Sequence, residues 1–570
     1  MSLTIPRPEH PNPQWKRDAW QNLNGAWEFG YSKRFCQTII VPFCPESKLS
    51  GIGNKDFMNE VWYRREIEIA PEQLNGRVAL HFGAADYETT VFINNEAAGN
   101  HVGGYTSFSF DITRLLRPGI NTLAVRCKDD TRDPMVCSGK QSERQESYEC
   151  MYTRTTGIWQ TVWLEFMPKE YIISAVYQPD PADSCLHLRV NTQGNGPIHA
   201  KAFWQGNEAG HACAVASCGF ARFTLPLSET HLWEVGKGGL YDLELTFNED
   251  RVQSYFGLRS LEIDGYKFLI NGKSVFQRLV LDQGFYPDGI CTAPSAQALE
   301  NDIKLSMQAG FNGARLHQKV FEPLFLYYCD LHGYIVWGEF ASWGIDHSKP
   351  EALHHFLPQW CESIERDRNH PAIIGWCPFN ESWDINGHKV FSKTLRTVYD
   401  VTKRLDPDRP CIDTSGNYHV ITDIYDIHDY EQNVKTFTKR HGSPKGDHFF
   451  WEPHKGRQKY TPGLPVFMSE YGGIGWASAT DGGAGGISDD DRDSAWGYGK
   501  GPEDAAAFLA RYEGLTNALL DNPKIIGFCY TQLTDVEQEV NGVYTYAREP
   551  KFDPAFFHRV NSRKAAIEEL

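Results

Sequence analysis

The strongest constraint on this chain is a change of rhythm near Gly257. Before it, apolar residues alternate in short runs: Val78, Leu80 and Phe82; Val91 and Ile93; Phe108 and Phe110; Leu123 and Val125. Turn signals at Asn94-Asn95, Gly103-Gly104 and Pro118-Gly119 separate them. A period of two, broken by turns at this spacing, predicts antiparallel strands packed as a β-sandwich. From about Glu170 to Phe256 a second set follows (YIISAV, LHLRV, HAKAFW, ARFTL, YDLELTF), enough for a small seven-strand sandwich. After Gly257, helical patterns such as SAQALENDIKLSMQAG alternate with short apolar strands: GARL, YIVWGE, IIGWCPFNE, PCIDTS, PVFMSE and IIGFCYTQ. Strand–helix alternation over roughly 310 residues predicts a parallel α/β barrel. Polar residues stand where these strands end: Arg315, Glu339, Glu381, Glu470 and Gln532. In a barrel those C-terminal ends converge on one mouth.

Charge and composition narrow the partners. The 570-residue chain carries a formal charge of -17, the wrong sign for a phosphate backbone, so no nucleic-acid partner is expected. No stretch is long and apolar enough to span a bilayer, and MSLTIPRPEHPNPQWKRDAW has no apolar leader segment. The 14 Cys lack CxxC pairs or zinc spacing and read as reduced, mostly buried thiols. The simplest expectation is a cytoplasmic protein without membrane contact. The 16 Trp suit either large cores or the flat faces of sugars.

Two carboxylates carry the chemistry. RDRNHPAIIGWCPFNESWD sets Asn380 and Glu381 directly after an apolar strand, and Glu470 in PVFMSEYGG ends another strand 89 residues later. That interval holds about three strand–helix units, and strands four and seven of a barrel face each other across the mouth. A carboxyl beside tryptophans at such a mouth is partly desolvated, which favours its protonated form. Two carboxyls about 5 Å apart suit a retaining double displacement at a sugar's anomeric carbon. A lone Glu after a strand is usually an ion pair or a helix cap; two in this context, with Arg315 available to keep one ionised, are not.

The chain resembles family 2 of the glycoside hydrolases. WQNLNGAWEF, VPFCPES, VWYRREIEI, INNEAAGNHVGGYTSFSFDIT and TTGIWQTVWLE are similar to that family's sugar-binding domain. GFNGARLHQ, DLHGYIVWGEF, DRNHPAIIGWCPFNES and VFMSEYGG are similar to its barrel. The resemblance implies Glu381 as general acid/base and Glu470 as nucleophile. It implies sugar contacts from Asn380, His317 and Tyr430, with Arg315 holding the nucleophile region. Glu339 stands beside these groups, Gln532 ends the eighth strand, and Trp343, Trp383 and Trp476 are available either to stack on sugar faces or to frame the pocket. We expect a jelly-roll-like β-sandwich over residues 1–167, an immunoglobulin-like β-sandwich over 168–257 and a (β/α)8 TIM barrel over 258–570.

Departures from the family pattern bear on the sugar. EFASWGIDH lacks the Glu-x-His magnesium pair of the large β-galactosidases, so no metal and no cofactor are expected. In YECMYTR, Glu149 is the nearest carboxylate to the place where the family offers an Asp. The family's β-glucuronidases read the sugar carboxylate with an Asn-x-Lys motif; here DVEQEVNGVYTYAREPK puts Glu539 and Asn541 there. A uronate beside Glu537 and Glu539 would be repelled unless Arg548 compensated. The expected activity is therefore exo-hydrolysis of a terminal β-galactoside, with β-glucuronide, β-mannoside and arabinoside as alternatives. The expected partner is an oligosaccharide or simple glycoside, and self-association is left open. A non-catalytic carbohydrate-binding protein would lack one carboxylate, and a metal hydrolase would need clustered His and Asp at strand ends. The Gly- and Asp-rich stretch from Gly472 to Asp504 reads either as a solvated loop or as a wall over the leaving-group side; Asp489–Asp491 do not form a calcium loop.

Overall fold

A computed structural model of the chain describes residues 5–384, 389–442, 451–454, 456–477 and 495–569. The first unit is two antiparallel sheets. Six strands run in the order Arg34–Val41, Gly25–Tyr31, Glu60–Ile69, Gly119–Lys128, Glu88–Ile93 and Glu96–Val102. Four more (Trp20–Asn22, Val162–Met167, Arg77–Phe82, Phe108–Asp111) cover them. Val78, Leu80, Phe82, Val91, Ile93, Leu123 and Val125 all face the shared core, as their alternation predicts. Phe108 and Phe110 lie only half-buried at a sheet edge, where Phe108 stacks on Phe82 and His101.

The second unit packs three strands (Tyr171–Asp180, Cys185–Gln193, Phe220–Pro226) on four (Asn207–Ala216, Gly196–Trp204, Tyr241–Phe247, Asp250–Phe256). Their inward residues, Leu186, Leu188, Val190, Ile198, Leu243 and Leu245 among them, form its core. Arg17 ties this unit to the first by bonding Asp250 and Glu165, both near 3.0 Å.

The remainder is the barrel. Seven parallel strands run in the spatial order Ile373–Cys377, Ile335–Glu339, Gly313–Leu316, Gln277–Asp282, Ile525–Thr531, Val466–Gly472 and Tyr425–Asp429. The first strand in sequence therefore pairs with the last, Gln277 opposite Gly527. The fifth position is filled by the short strand Thr414–Ser415, beside Phe379–Asn380, with Trp376 bridging to Cys411. This strand is short because buried carboxylates take backbone N–H groups that a ladder would use. Cys411 donates to Asp423, Val420 and Ile421 to Asp413, and Gly416 to Asp426. The outer helices start where capping residues predict: Ser295, Asn433, Asp504 and Asp553 each accept a first-turn N–H. Gly333 closes Pro323–His332 with a left-handed turn. Among the described residues no helix is long and apolar enough to cross a membrane.

Candidate active site

Glu470 sits in the strand Val466–Gly472 where the ladder to Ile525–Thr531 is interrupted between Met468 and Tyr471. Its side chain is buried and bonded at both oxygens. Arg315 donates to Oε1 at 3.0 Å, and the Tyr430 hydroxyl donates to Oε2. Arg315, itself buried, also donates to Glu339 at 2.5 Å, the Ser469 carbonyl at 2.7 Å and Asn380 Oδ1 at 3.1 Å. One guanidinium thus joins four barrel strands, using the planar fork that Lys lacks. Burial alone would raise the Glu470 carboxyl, but the charges of His428 and Arg315, with the hydrogen bond from the Tyr430 hydroxyl, outweigh it and hold it well below the usual range. It is ionised at neutral pH.

Glu381 follows Phe379–Asn380 with φ +48, the left-handed region unusual for a side chain with a Cβ. That turn swings the carboxyl out of the strand line, and its N–H is taken by the Ser415 carbonyl at 2.8 Å. Its side chain has one partner among the described residues: His428 Nδ1, 2.7 Å from Oε1. The same nitrogen lies 3.5 Å from Glu470 Oε2. One atom from each of Glu381, His428 and Glu470 lies within 4.8 Å of the others. Such a trio could also hold a cation, although Arg315 and Tyr430 already occupy Glu470.

His428 was not anticipated. It precedes Tyr430 by two residues in DIHDY, so strand alternation places both on one face, and the position of Tyr430 could have revealed it. Behind it runs a buried polar chain. His428 Nε2 lies 2.8 Å from Ser415 Oγ, and the Ser415 and Ser469 hydroxyls both donate to Asp426. Asp426 is 3.0 Å from His419, which is 2.8 Å from Asp413. Burial works against a charged His419, yet the flanking Asp413 and Asp426 push it up to about 10. His428 is raised as well: burial opposes it, but Glu470 and Glu381 prevail.

The other expected residues gather around this pair. His317 Nδ1 lies 3.0 Å from Glu339 Oε2. Burial keeps this imidazole neutral, so Nδ1–H donates and Nε2, without a hydrogen bond among the described residues, presents a lone pair. Glu339 therefore holds Arg315 and His317 in place and has both oxygens engaged. Asn380 Nδ2 is buried without a partner among the described residues, a donor available to a sugar hydroxyl. Gln532 is fully buried; its Oε1 accepts from Gln283 at 2.9 Å, and its Nε2 has no partner among the described residues. Trp343 and Trp383, with Asn380 and Glu381, line a cleft of about 710 Å³ whose far wall includes Pro134 and Met151 of the first sandwich. Their indole nitrogens bond the carbonyls of Asn380 and Gly416.

Several expectations change. Trp476 packs between Phe508 and Phe552 as framework. Glu149 is exposed to solvent. Arg548 is committed to Asp302 at 3.1 Å and to the carbonyls of Phe285 and Tyr546, so it compensates no ligand charge. Glu537 accepts from the Thr153 N–H, and Glu539 accepts from the Tyr152 hydroxyl and from Asn541. Most of the stretch from Gly472 to Asp504, including Asp489–Asp491, falls on residues 478–494, outside the described residues; beyond them Tyr498 stacks on Tyr430.

Comparisons with known proteins agree with this architecture. The sugar-binding domain model of glycosyl hydrolases family 2 matches residues 49–168, and the family's TIM barrel domain model matches residues 261–487. A Formosa agariphila relative is 26% identical over 373 residues, covering 61% of this chain and 44% of that protein. A beta-galactosidase of Thermoanaerobacter pseudethanolicus is 24% identical, covering 73% of this chain and 57% of that protein. The chain thus matches less than two thirds of the length of both. A beta-glucuronidase of Felis catus is 24% identical, covering 70% of this chain and 69% of that protein. Among solved structures, the Dictyoglomus thermophilum beta-D-glucuronidase superposes with a TM-score of 0.79 at 19% identity, covering 97% of this chain and 98% of the other. The Bifidobacterium dentium beta-glucuronidase, complexed with coumarin-3-O-glucuronide, gives 0.80 at 18% identity, covering 96% and 98%. At these identities the superpositions show the shared fold. With both domain models matched and the carboxylates of the barrel mouth in place, the chain belongs to glycosyl hydrolases family 2.

Proposed function

We propose that this protein is a retaining glycoside hydrolase that removes a terminal β-linked uronic acid, with Glu470 as nucleophile and Glu381 as acid/base. The spacing of the two carboxyls carries this reading. Oxygens within 4.8 Å of each other fit the roughly 5 Å separation of a double displacement and leave no room for the water of an inverting reaction. In the first half, Glu381 gives its proton to the glycosidic oxygen while Glu470 attacks the anomeric carbon. The C–O bond to the leaving group breaks, and a glycosyl ester forms on Glu470. In the second half, Glu381 takes a proton from water, the water oxygen attacks the same carbon, and Glu470 leaves as carboxylate. His317 Nε2 and Asn380 Nδ2 would accept from and donate to sugar hydroxyls.

The choice of sugar moves from β-galactoside to β-glucuronide. Most of the named relatives are beta-glucuronidases, although one is a beta-galactosidase. The repulsion that favoured a neutral sugar is weakened at Glu539, whose carboxyl is raised, chiefly by burial. Matched nitrophenyl β-glucuronide and β-galactoside should differ in kcat/KM by at least about tenfold in favour of the glucuronide, a gap of about 1.4 kcal/mol. Parity or a galactoside preference would overturn the sugar. An inverted first-formed product, read by proton NMR, would overturn the mechanism.

A further inference from the structure

Resting on that reading, we infer that Lys140, carried to the barrel by the first sandwich, binds the carboxylate of the sugar. The loop that holds it is fixed on both sides. Ser138 and Gly139 both donate their N–H to the Trp343 carbonyl, at 3.0 and 3.1 Å. Gly139 has φ +59, and a Cβ there would lie 2.4 Å from the Gln318 carbonyl oxygen, so the close approach requires glycine. The Lys140 carbonyl accepts from Tyr152 N at 2.7 Å. Gln141 is pinned by Asp86 at 2.6 Å and Thr155 N at 2.7 Å. Lys140 itself is 5% exposed, and its Nζ sits 4.3 Å from the centre of the Trp343 ring, whose indole N–H is bonded to Asn380.

A buried ammonium is costly without a counter-ion. Among the described residues none of the ion pairs within 4.0 Å involves Lys140. The neighbouring Cys150 hydrogen-bonds Lys140 but supplies no counter-charge, since burial keeps it a neutral thiol. The carboxylates acting on Lys140 from further away are Glu539, Glu470 and Glu381. Glu539 and Glu470 have both oxygens engaged elsewhere, and Glu381 is bonded to His428. Burial disfavours the charged amine, yet Cys150 and then these carboxylates raise it, so it stays protonated. A cation held rigid, desolvated and without a counter-ion among the described residues is a receptor for an anionic oxygen.

Position selects the sugar rather than the leaving group. Ser138, Gln141 and Trp343 line the cleft past Glu381, but Lys140 does not. Its neighbours are instead groups read as sugar contacts: Trp343 below the ammonium is bonded to Asn380, and the charge acts on His317.

Calorimetry with two isofagomine-type inhibitors, one carrying a carboxylate and one the neutral hydroxymethyl group, tests this without turnover. Lys140→Met should lose about 100-fold in affinity for the carboxylate inhibitor and less than about fivefold for the neutral one, and Lys140→Arg should recover much of the loss. Equal losses on both inhibitors, or none, would overturn the inference; matched melting curves exclude a folding defect. A selective loss only on a neutral glycoside with an acidic aglycone would move Lys140 to the leaving-group side and likewise overturn it. Wild-type protein that prefers the neutral inhibitor would overturn the uronide reading together with it. A wild-type preference for the carboxylate inhibitor that Lys140→Met leaves unchanged would overturn the inference alone.

Discussion

The two carboxylates of the site live in different surroundings. Glu470 lies in a strand, with a side chain 4% exposed, both oxygens bonded and three cationic or imidazole groups in reach. Glu381 lies just past a strand in a left-handed turn, 15% exposed, with one side-chain partner among the described residues and a cleft in front of it. The difference follows from what each would do. A nucleophile must stay ionised and aimed at one carbon, which favours a fully bonded, buried carboxylate. An acid/base must pass a proton to a leaving group and retrieve one from water on the same side, which requires an open approach. His428 joins the two environments through a single nitrogen.

Glu470→Ala gives the largest effect. It removes the attacking oxygen and strands Arg315, so kcat/KM should fall by on the order of 10⁴-fold or more on every glycoside. Peptide mapping after trapping with a 2-fluoro glycoside should place the label on Glu470, and a label on Glu381 or Glu339 would reverse the comparison. Glu381→Ala comes next and should discriminate. Alkyl glycosides should lose about 10²–10⁴-fold, whereas nitrophenyl glycosides, which need little protonation in the first half, should lose much less in that step. Uniform losses on both classes would place Glu381 with Glu470 as a fixed electrostatic group.

His428→Asn is the mildest and tests the joint. His428 is raised, so it carries its charge below and somewhat above the usual imidazole range. Removing that charge withdraws the first electrostatic influence that depresses Glu470, so the nucleophile's pKa should rise. The acid limb of kcat/KM should then move to higher pH, with a loss of about 10- to 100-fold near neutrality. An unmoved acid limb would mean that Arg315 and Tyr430 alone keep Glu470 ionised.

What could be read in advance followed how local each signal is. The alternation of Val78, Leu80 and Phe82 records a sheet face directly, and all three are buried. Glu381 and Glu470 were legible because each follows an apolar strand within a few residues. Lys140 was not: nothing in CSGKQSE marks it, and its place depends on Gly139 docking against Gln318 and Trp343, roughly 180 to 200 residues away in the chain. The charges weighed against a uronide were likewise read without their surroundings. Burial raises the Glu539 carboxyl, and Arg548 is taken by Asp302. The fifth strand shrank to Thr414–Ser415 because side chains of Asp413, Asp423 and Asp426 replace backbone pairing, a substitution that no strand period encodes.

The closure of the barrel sets a schedule for the newborn chain. Gln277–Asp282 finds its second neighbour only when Ile525–Thr531 has been made, and Arg278 waits further for Asn561 and Glu568. At roughly 5–20 residues per second, the intervening stretch of about 250 residues takes on the order of ten seconds to a minute to synthesise. Throughout that interval one edge of an apolar parallel sheet stays unpaired, a surface that invites association with other chains. Both sandwiches are complete before the wait begins. A ribosome-bound chain halted at Leu520 should therefore present folded, protease-resistant sandwiches ahead of a barrel that recruits chaperones and is still cleaved freely.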